Sequence, residues 1–146
     1  MSRLHCIGTI PTTTIQGVQH ILLGLRPETN DWDWLGGKTE GNERAFQTYS
    51  RELVEEAGTS LMNDIVENTD FINRYKITIP EGQIHVVRSH LLANVDITPH
   101  GVHTQYKWFS REEVEKAFKE KSPLDGYPLR GYLVKLFANE GFLEFL

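Results

Sequence analysis

Apolar residues follow two different periods along this chain. Residues 3–10 (RLHCIGTI) are short, β-branched and apolar, which predicts a strand. Residues 18–26 (VQHILLGLR) are apolar almost without a break, as in a strand covered on both faces. Pro11 and Gly17 bracket a loop between them, and Pro27 ends the second strand. From Glu43 to Ala57 the period changes. At about 100° per residue, Ala45, Phe46, Tyr49, Leu53 and Ala57 share one arc, which predicts a helix stopped by Gly58.

Residues 69–79 and 83–95 return to strand character around a turn at Pro80-Glu81-Gly82. A loop over 95–103 leads into a strand at 104–109. Ser110 with Glu113 forms a capping box that opens a helix through Lys121. After a loop at 122–128, residues 129–141 predict a last amphipathic helix. Strands on both sides of a helix, with two helices to follow, predict one α/β domain over 1–146, three-layered α/β/α or α+β.

At 146 residues the chain can bury one core and is short for two. The net charge of −5 argues against a nucleic-acid partner, because backbone binding relies on Lys and Arg displacing counterions. Cys6 is the only cysteine, which excludes an intrachain disulfide and suits a reducing, cytoplasmic setting. The opening MSRLHCIGTI lacks the regions of a signal peptide, and no apolar run reaches membrane-spanning length.

Acid is not spread evenly. On a helix over 43–57, Glu52, Glu55 and Glu56 project from neighbouring positions as one ridge. Three such carboxylates repel and raise one another's pKa unless a cation intervenes. Helical glutamates are more often a solvated face. Here, however, Gly36-Gly37-Lys38 feeds the helix with a turn that permits close backbone approach and a cation suited to phosphate. Hard divalent ions take oxygen ligands and keep open positions for phosphate and water.

Residues 37–59 resemble the Nudix box, G-x5-E-x7-R-E-U-x-E-E-x-G-U with U aliphatic. Gly37, Glu43, Arg51, Glu52, Leu53, Glu55, Glu56 and Gly58 all fall in place. At background frequencies, the seven fixed positions would match by chance on the order of 10⁻⁹ per start point. Two departures are Thr59 at the last aliphatic position and Asn42 where a glycine often stands.

The resemblance implies an α/β/α sandwich with a mixed sheet that hydrolyses a nucleoside diphosphate linked to another group. It implies Mg²⁺ or Mn²⁺ held by Glu52, Glu55, Glu56 and the carbonyl of Gly36. Arg51 would orient the glutamates, Glu43 would support the loop or bind metal through water, and Glu52 is the first choice of base. Asp96, His100 and His103 are alternatives from a later loop, although that loop reads as surface rather than as a zinc site. A small nucleotide is the implied partner, with no membrane and with a homodimer allowed.

Substrate contacts are expected at Lys38, Arg26, Trp34, Tyr75 and Asp125. WDWLGGKTE resembles MutT-type triphosphate hydrolases, and Asp125 lies in a loop that resembles the base-reading loop of oxidised-purine triphosphate hydrolases. Tyr75 lies near a tyrosine of diadenosine polyphosphate hydrolases. These readings favour a purine nucleoside triphosphate over dinucleoside polyphosphates or nucleotide sugars. A nucleotide-binding module without turnover is the alternative of a different class.

Overall fold

A computed structural model describes residues 3–146. Met1 and Ser2, the start of the segment read for a signal peptide, lie outside them. Strand β1 (Leu4–Thr9) pairs in parallel with β7 (Gly82–Ser89) and antiparallel with β5 (Leu35–Lys38). With β6 (Thr69–Ile79) outside β7, the first sheet runs β5-β1-β7-β6 and is mixed. The second sheet centres on β3 (Val18–Arg26). One edge of β3 carries β2 (Thr12–Ile15) and then β4 (Asp31–Asp33), and the other carries β8 (Gln105–Ser110).

Alternation along the central strands places helices on both faces. Leu22 of β3 and Val87 of β7 pack with Tyr49, Leu53 and Ala57 of α1 (Ala45–Ala57) and with Leu61 and Ile65 of α2 (Thr59–Glu67). Their neighbours Ile21, Leu23 and Val86 point the other way. They meet α3 (Arg111–Glu120), α4 (Gly131–Ala138) and the short α5 (Phe142–Phe145) through Val114, Leu133, Phe137 and Phe142. This is the expected α/β/α arrangement, and the unbroken apolar run of β3 reflects cover on both sides. No helix among the described residues is long and apolar enough to cross a membrane.

Four expectations need correction. The predicted loop at 11–17 contains β2, because Thr12–Ile15 fold back on β3 as a hairpin. Gly36 and Gly37 lie in strand β5 rather than a turn, opposite Gly8 and Ile7. Glycine has little strand propensity, but here the absence of a side chain is what pairing demands: a Cβ on Gly36 would collide with Gly8 and the Ile7 carbonyl. The predicted strand 83–95 ends at Ser89, where Leu91 donates its amide to the Thr12 carbonyl at 2.8 Å. The last helix starts at Gly131, because Pro128–Arg130 are laced to Trp32 by two backbone hydrogen bonds of 2.9 Å. Helix α2 occupies residues to which the pattern assigned no element.

Candidate active site

The strand–loop–helix from β5 into α1 creates a charged hub. Arg51 grips Glu43 with two nitrogens, at 2.7 and 3.0 Å, and reaches Glu52 at 2.9 Å and Glu55 at 3.3 Å. Its other terminal nitrogen donates to the Lys38 carbonyl at 2.9 Å, which ties the loop to the helix. Planar, bidentate pairing of this kind orients as well as attracts. Hydrogen bonds from Arg51 hold the Glu43 carboxyl down at about 2, and those to Glu43 raise the guanidinium in turn. Glu43 also accepts from the Glu40 amide and the Thr48 hydroxyl, so its oxygens are occupied in supporting the loop.

Glu56 lies on the buried side of the same ridge. Its Oε1 accepts from the Gly36 amide at 2.8 Å, and its Oε2 lies 3.3 Å from Nε2 of His103. Burial pushes Glu56 well above the usual carboxylate range, against the pull of the Gly36 amide, with Glu52 adding repulsion. Burial also raises Glu52, against hydrogen bonding from Arg51. Glu55 is half exposed.

A second cluster meets this ridge from behind. Asp33 and His103 are each only 3% exposed, and with Glu56 they bring ligand atoms within 4.8 Å of one another. Burial, then the Glu56 charge, drives Asp33 up to about 7, while Arg26 at 3.3 Å and Arg130 at 3.5 Å lie against its carboxylate. Burial lowers His103 to about 4, so its ring is neutral near pH 7 and its contact with Glu56 is not an ion pair.

These groups line one cavity of about 410 Å³, with Arg26, Lys38, Glu52, Glu55, Glu56 and Arg130 among its walls. Trp34 and Tyr132 also line it, their rings 5.1 Å apart. The donor set fits hard divalent cations, since Glu52, Glu55 and Glu56 present carboxylate oxygens to one space. Gly37 keeps that space open: a Cβ there would run into the Glu52 carboxyl. The Asp33 end already has two arginines beside its carboxylate, so the residues that could hold a cation are those of the glutamate ridge.

Of the substrate residues expected, Arg26, Lys38 and Trp34 reach the cavity and two do not. Tyr75 donates its hydroxyl to the Glu140 carbonyl at 2.6 Å and packs on Phe142 and Phe145, under the far helices. Asp125 pairs with Lys107 at 2.6 Å on the surface. Spacing places a residue along the chain but not the direction of its side chain. His103, expected on a loop surface, is buried beside Glu56. The sequence reading missed Asp33, Arg130 and Tyr132. A usable signal for Asp33 was a charge between two tryptophans that the fold buries; His103 spaced three from Tyr106 was another.

A family model described as NUDIX domain matches residues 13–129. Among solved structures, the fold is similar to the C. elegans Ap4A hydrolase in a binary complex, with TM-score 0.58 and 20% identity over 91% of this chain and 95% of that one. It is also similar to a Francisella tularensis bifunctional NMN adenylyltransferase/ADP ribose pyrophosphatase complexed with AMP and a Mn ion, with TM-score 0.57 and 18% identity over 97% of this chain and 43% of that one. A third is the MutT protein of Methanosarcina mazei Go1, with TM-score 0.52 and 20% identity over 98% and 92% of the two chains. No curated protein matches. Since the family model spans most of the sequence, the chain belongs to the Nudix family and is a hydrolase of diphosphate-containing substrates.

Proposed function

We propose that the substrate is a nucleoside triphosphate, cleaved by water to the monophosphate and pyrophosphate. The observation that carries this reading is the composition of this cavity: the glutamate ridge shares it with three cationic side chains, Arg26, Lys38 and Arg130. A polyphosphate bridges two such sets, provided divalent ions offset the carboxylates. Glu52, Glu55 and Glu56 would hold those ions, with the Gly36 carbonyl. When bound, Mg²⁺ or Mn²⁺ supplies charge neutralisation at the phosphates and lowers the pKa of water.

The chain's own groups do the rest. Arg51 fixes Glu52 through Oε1, leaving the other oxygen of this cavity-lining carboxylate to accept the proton from the attacking water. The new P–O bond forms as the anhydride bond breaks, and the leaving pyrophosphate departs with the bridging oxygen. Lys38, Arg26 and Arg130 stabilise the charge that accumulates on the phosphate oxygens. The base stacks against Trp34 and Tyr132, and the larger face of a purine gains more from that contact. With Asp125 on the surface, the purine preference rests on these rings.

A panel of nucleotides with Mg²⁺ tests this, with products resolved by phosphorus NMR. Purine triphosphates should yield monophosphate and pyrophosphate. Inert triphosphates alongside cleaved dinucleoside polyphosphates or nucleotide sugars would overturn the substrate choice. Nucleotide binding with no turnover of any substrate would make the protein a binding module.

A further inference from the structure

We infer that Asp33 is a positioning residue that aims the guanidinium of Arg130 at the phosphates of the substrate. This rests on the reading that a polyphosphate occupies the cavity.

Arg130 comes to the cavity by way of β4. Trp32 is fully buried, packs edge-on against Phe109 and donates its indole N–H to the Leu124 carbonyl at 2.6 Å. Its backbone takes the segment around Leu129 as a parallel neighbour, which delivers Arg130 to the edge of the strand. Successive strand residues face opposite sides, so with Trp32 in the core Asp33 faces the cavity. Its Oδ1 accepts from the Trp34 amide at 2.9 Å, and its Oδ2 accepts from Nη1 of Arg26 at 3.3 Å and Nη1 of Arg130 at 3.5 Å. The two guanidinium groups are not held alike. Arg26 has a second anchor in Glu28, at 3.0 Å. Among the described residues Asp33 is the only partner of the Arg130 side chain, which is 35% exposed on the cavity wall. At 3.5 Å that contact supplies direction more than strength. A guanidinium is a rigid planar fork, so fixing one terminal nitrogen sets where the remaining donors point, and these are suited to paired bonds with phosphate oxygens.

Asp33 also lies near Glu56, but other contacts place Glu56. Its Oε1 accepts from the Gly36 amide at 2.8 Å. Loop residues 100–103 dock on its end of α1, where the amides of His100, Val102 and His103 donate to the carbonyls of Ala57, Glu55 and Glu56 at 3.2, 2.9 and 3.2 Å. These are carbonyls that a helix leaves without helical partners. Gly101 allows the approach, since a Cβ there would collide with the backbone of Glu55 and Glu56. Gly24 of β3, opposite Asp33 in register, leaves room for the His103 ring, which a Cβ at that position would strike. The stacking rings are tied to the same segments as the arginine: Trp34 follows Asp33, and Tyr132 closely follows Arg130. Charge gives the role of Asp33 a sign. Removing a carboxylate from beside a polyanion should by charge alone tighten binding, because like charges repel. If Asp33 aims Arg130, its removal weakens binding instead.

Calorimetric titration of the whole chain with inorganic tripolyphosphate, at saturating Mg²⁺, tests this without depending on the base. Arg130→Met, which keeps the stem and removes the donors, should weaken binding by about 10–100-fold. Asp33→Asn should weaken it by about 3–10-fold, because its amide offers an oxygen at only one of the two carboxylate positions. In the Arg130→Met background the same substitution should change affinity by less than about 2-fold. Asp33→Ser, whose hydroxyl is too short to reach Arg130, should behave as Asp33→Asn does and serves in its place should that variant fail to fold. Equal losses from Asp33→Asn with and without Arg130 overturn the proposal, as does an Asp33→Asn protein that binds as tightly as wild type or more tightly. So does a loss of Mn²⁺ affinity, measured without tripolyphosphate, as large as the loss of tripolyphosphate affinity, since Asp33 would then serve the glutamate ridge. Arg130→Met is the control. If it leaves tripolyphosphate affinity unchanged, the reading that phosphate lies against Arg130 fails, a different result from failure of the Asp33 variants alone.

Discussion

Two hubs converge on the cavity, and they are assembled in opposite ways. The first centres on Arg51, whose partners Lys38, Glu43, Glu52 and Glu55 all lie within 13 residues of it. It is partly exposed, and opposite charges hold it together. The second joins Asp33, Glu56, His103 and Arg130, with Arg130 meeting Asp33 across 97 residues. It is buried and crowded with acid, and depends on glycines that leave room. The difference teaches that a local charged hub can orient a ridge. A long-range buried hub surrounds the ridge's innermost carboxylate.

The sharpest way to break that pairing is Glu56→Gln, which touches the second hub and leaves Arg51 intact. Losing one electrostatic contact in a water-poor site costs about 10²–10³ in turnover, so a loss of at least that size is expected in kcat, with the folded spectrum unchanged. Millimolar Mg²⁺ should raise the melting temperature of wild type and no longer raise that of the variant. A variant that keeps both responses would remove Glu56 from the site.

A smaller effect separates the hubs structurally. Gly101→Ala should cost about 1–3 kcal/mol in urea unfolding, because the added methyl forces loop 100–103 away from the end of α1. Activity should fall with it while the Arg51 contacts persist; unchanged stability would mean that the loop is free to yield.

Acid probes the first hub through one of its members, Glu43. Because Glu43 sits at about 2 in the fold against an ordinary 4.5, its contribution is complete above pH 4.5 and is lost as the pH falls toward 2. Glu43→Gln should therefore flatten the slope of stability over that window and run parallel to wild type above it, as measured by unfolding midpoints across pH. The smallest effect is expected outside both hubs. Asp125→Ala removes an exposed ion pair and should change stability by less than about 1 kcal/mol, with KM for the preferred nucleotide unaltered. A large rise in KM would bring Asp125 back as a substrate contact.

The same contrast explains what was legible in the sequence. Helical spacing over Glu43–Ala57 locates the ridge because neighbours on a helix are determined by their separation alone. The alternating burial of β3 and β7, and hence the layered fold, follows from apolar runs. Strand β5 was hidden because glycines carry no apolar period, and what makes them a strand is β1 beside them. His103 and Asp33 were hidden for a related reason. A polar residue in a sequence reads as exposed until something distant covers it, and here the cover is Tyr106, Arg130 and the end of α1. Tyr75 failed in the opposite sense: it was expected at the site from its distance past the box, but its side chain faces Phe142.

The docking of loop 100–103 on the end of α1 also has a consequence in time. During synthesis the whole of residues 36–59 is made well before His100, Val102 and His103 exist to donate to Glu55, Glu56 and Ala57. A nascent chain can thus carry its complete acidic motif without the setting that aims it. The delay between possessing the motif and possessing the site is built into the order of the elements, and contacts of long sequence separation form late for the same entropic reason.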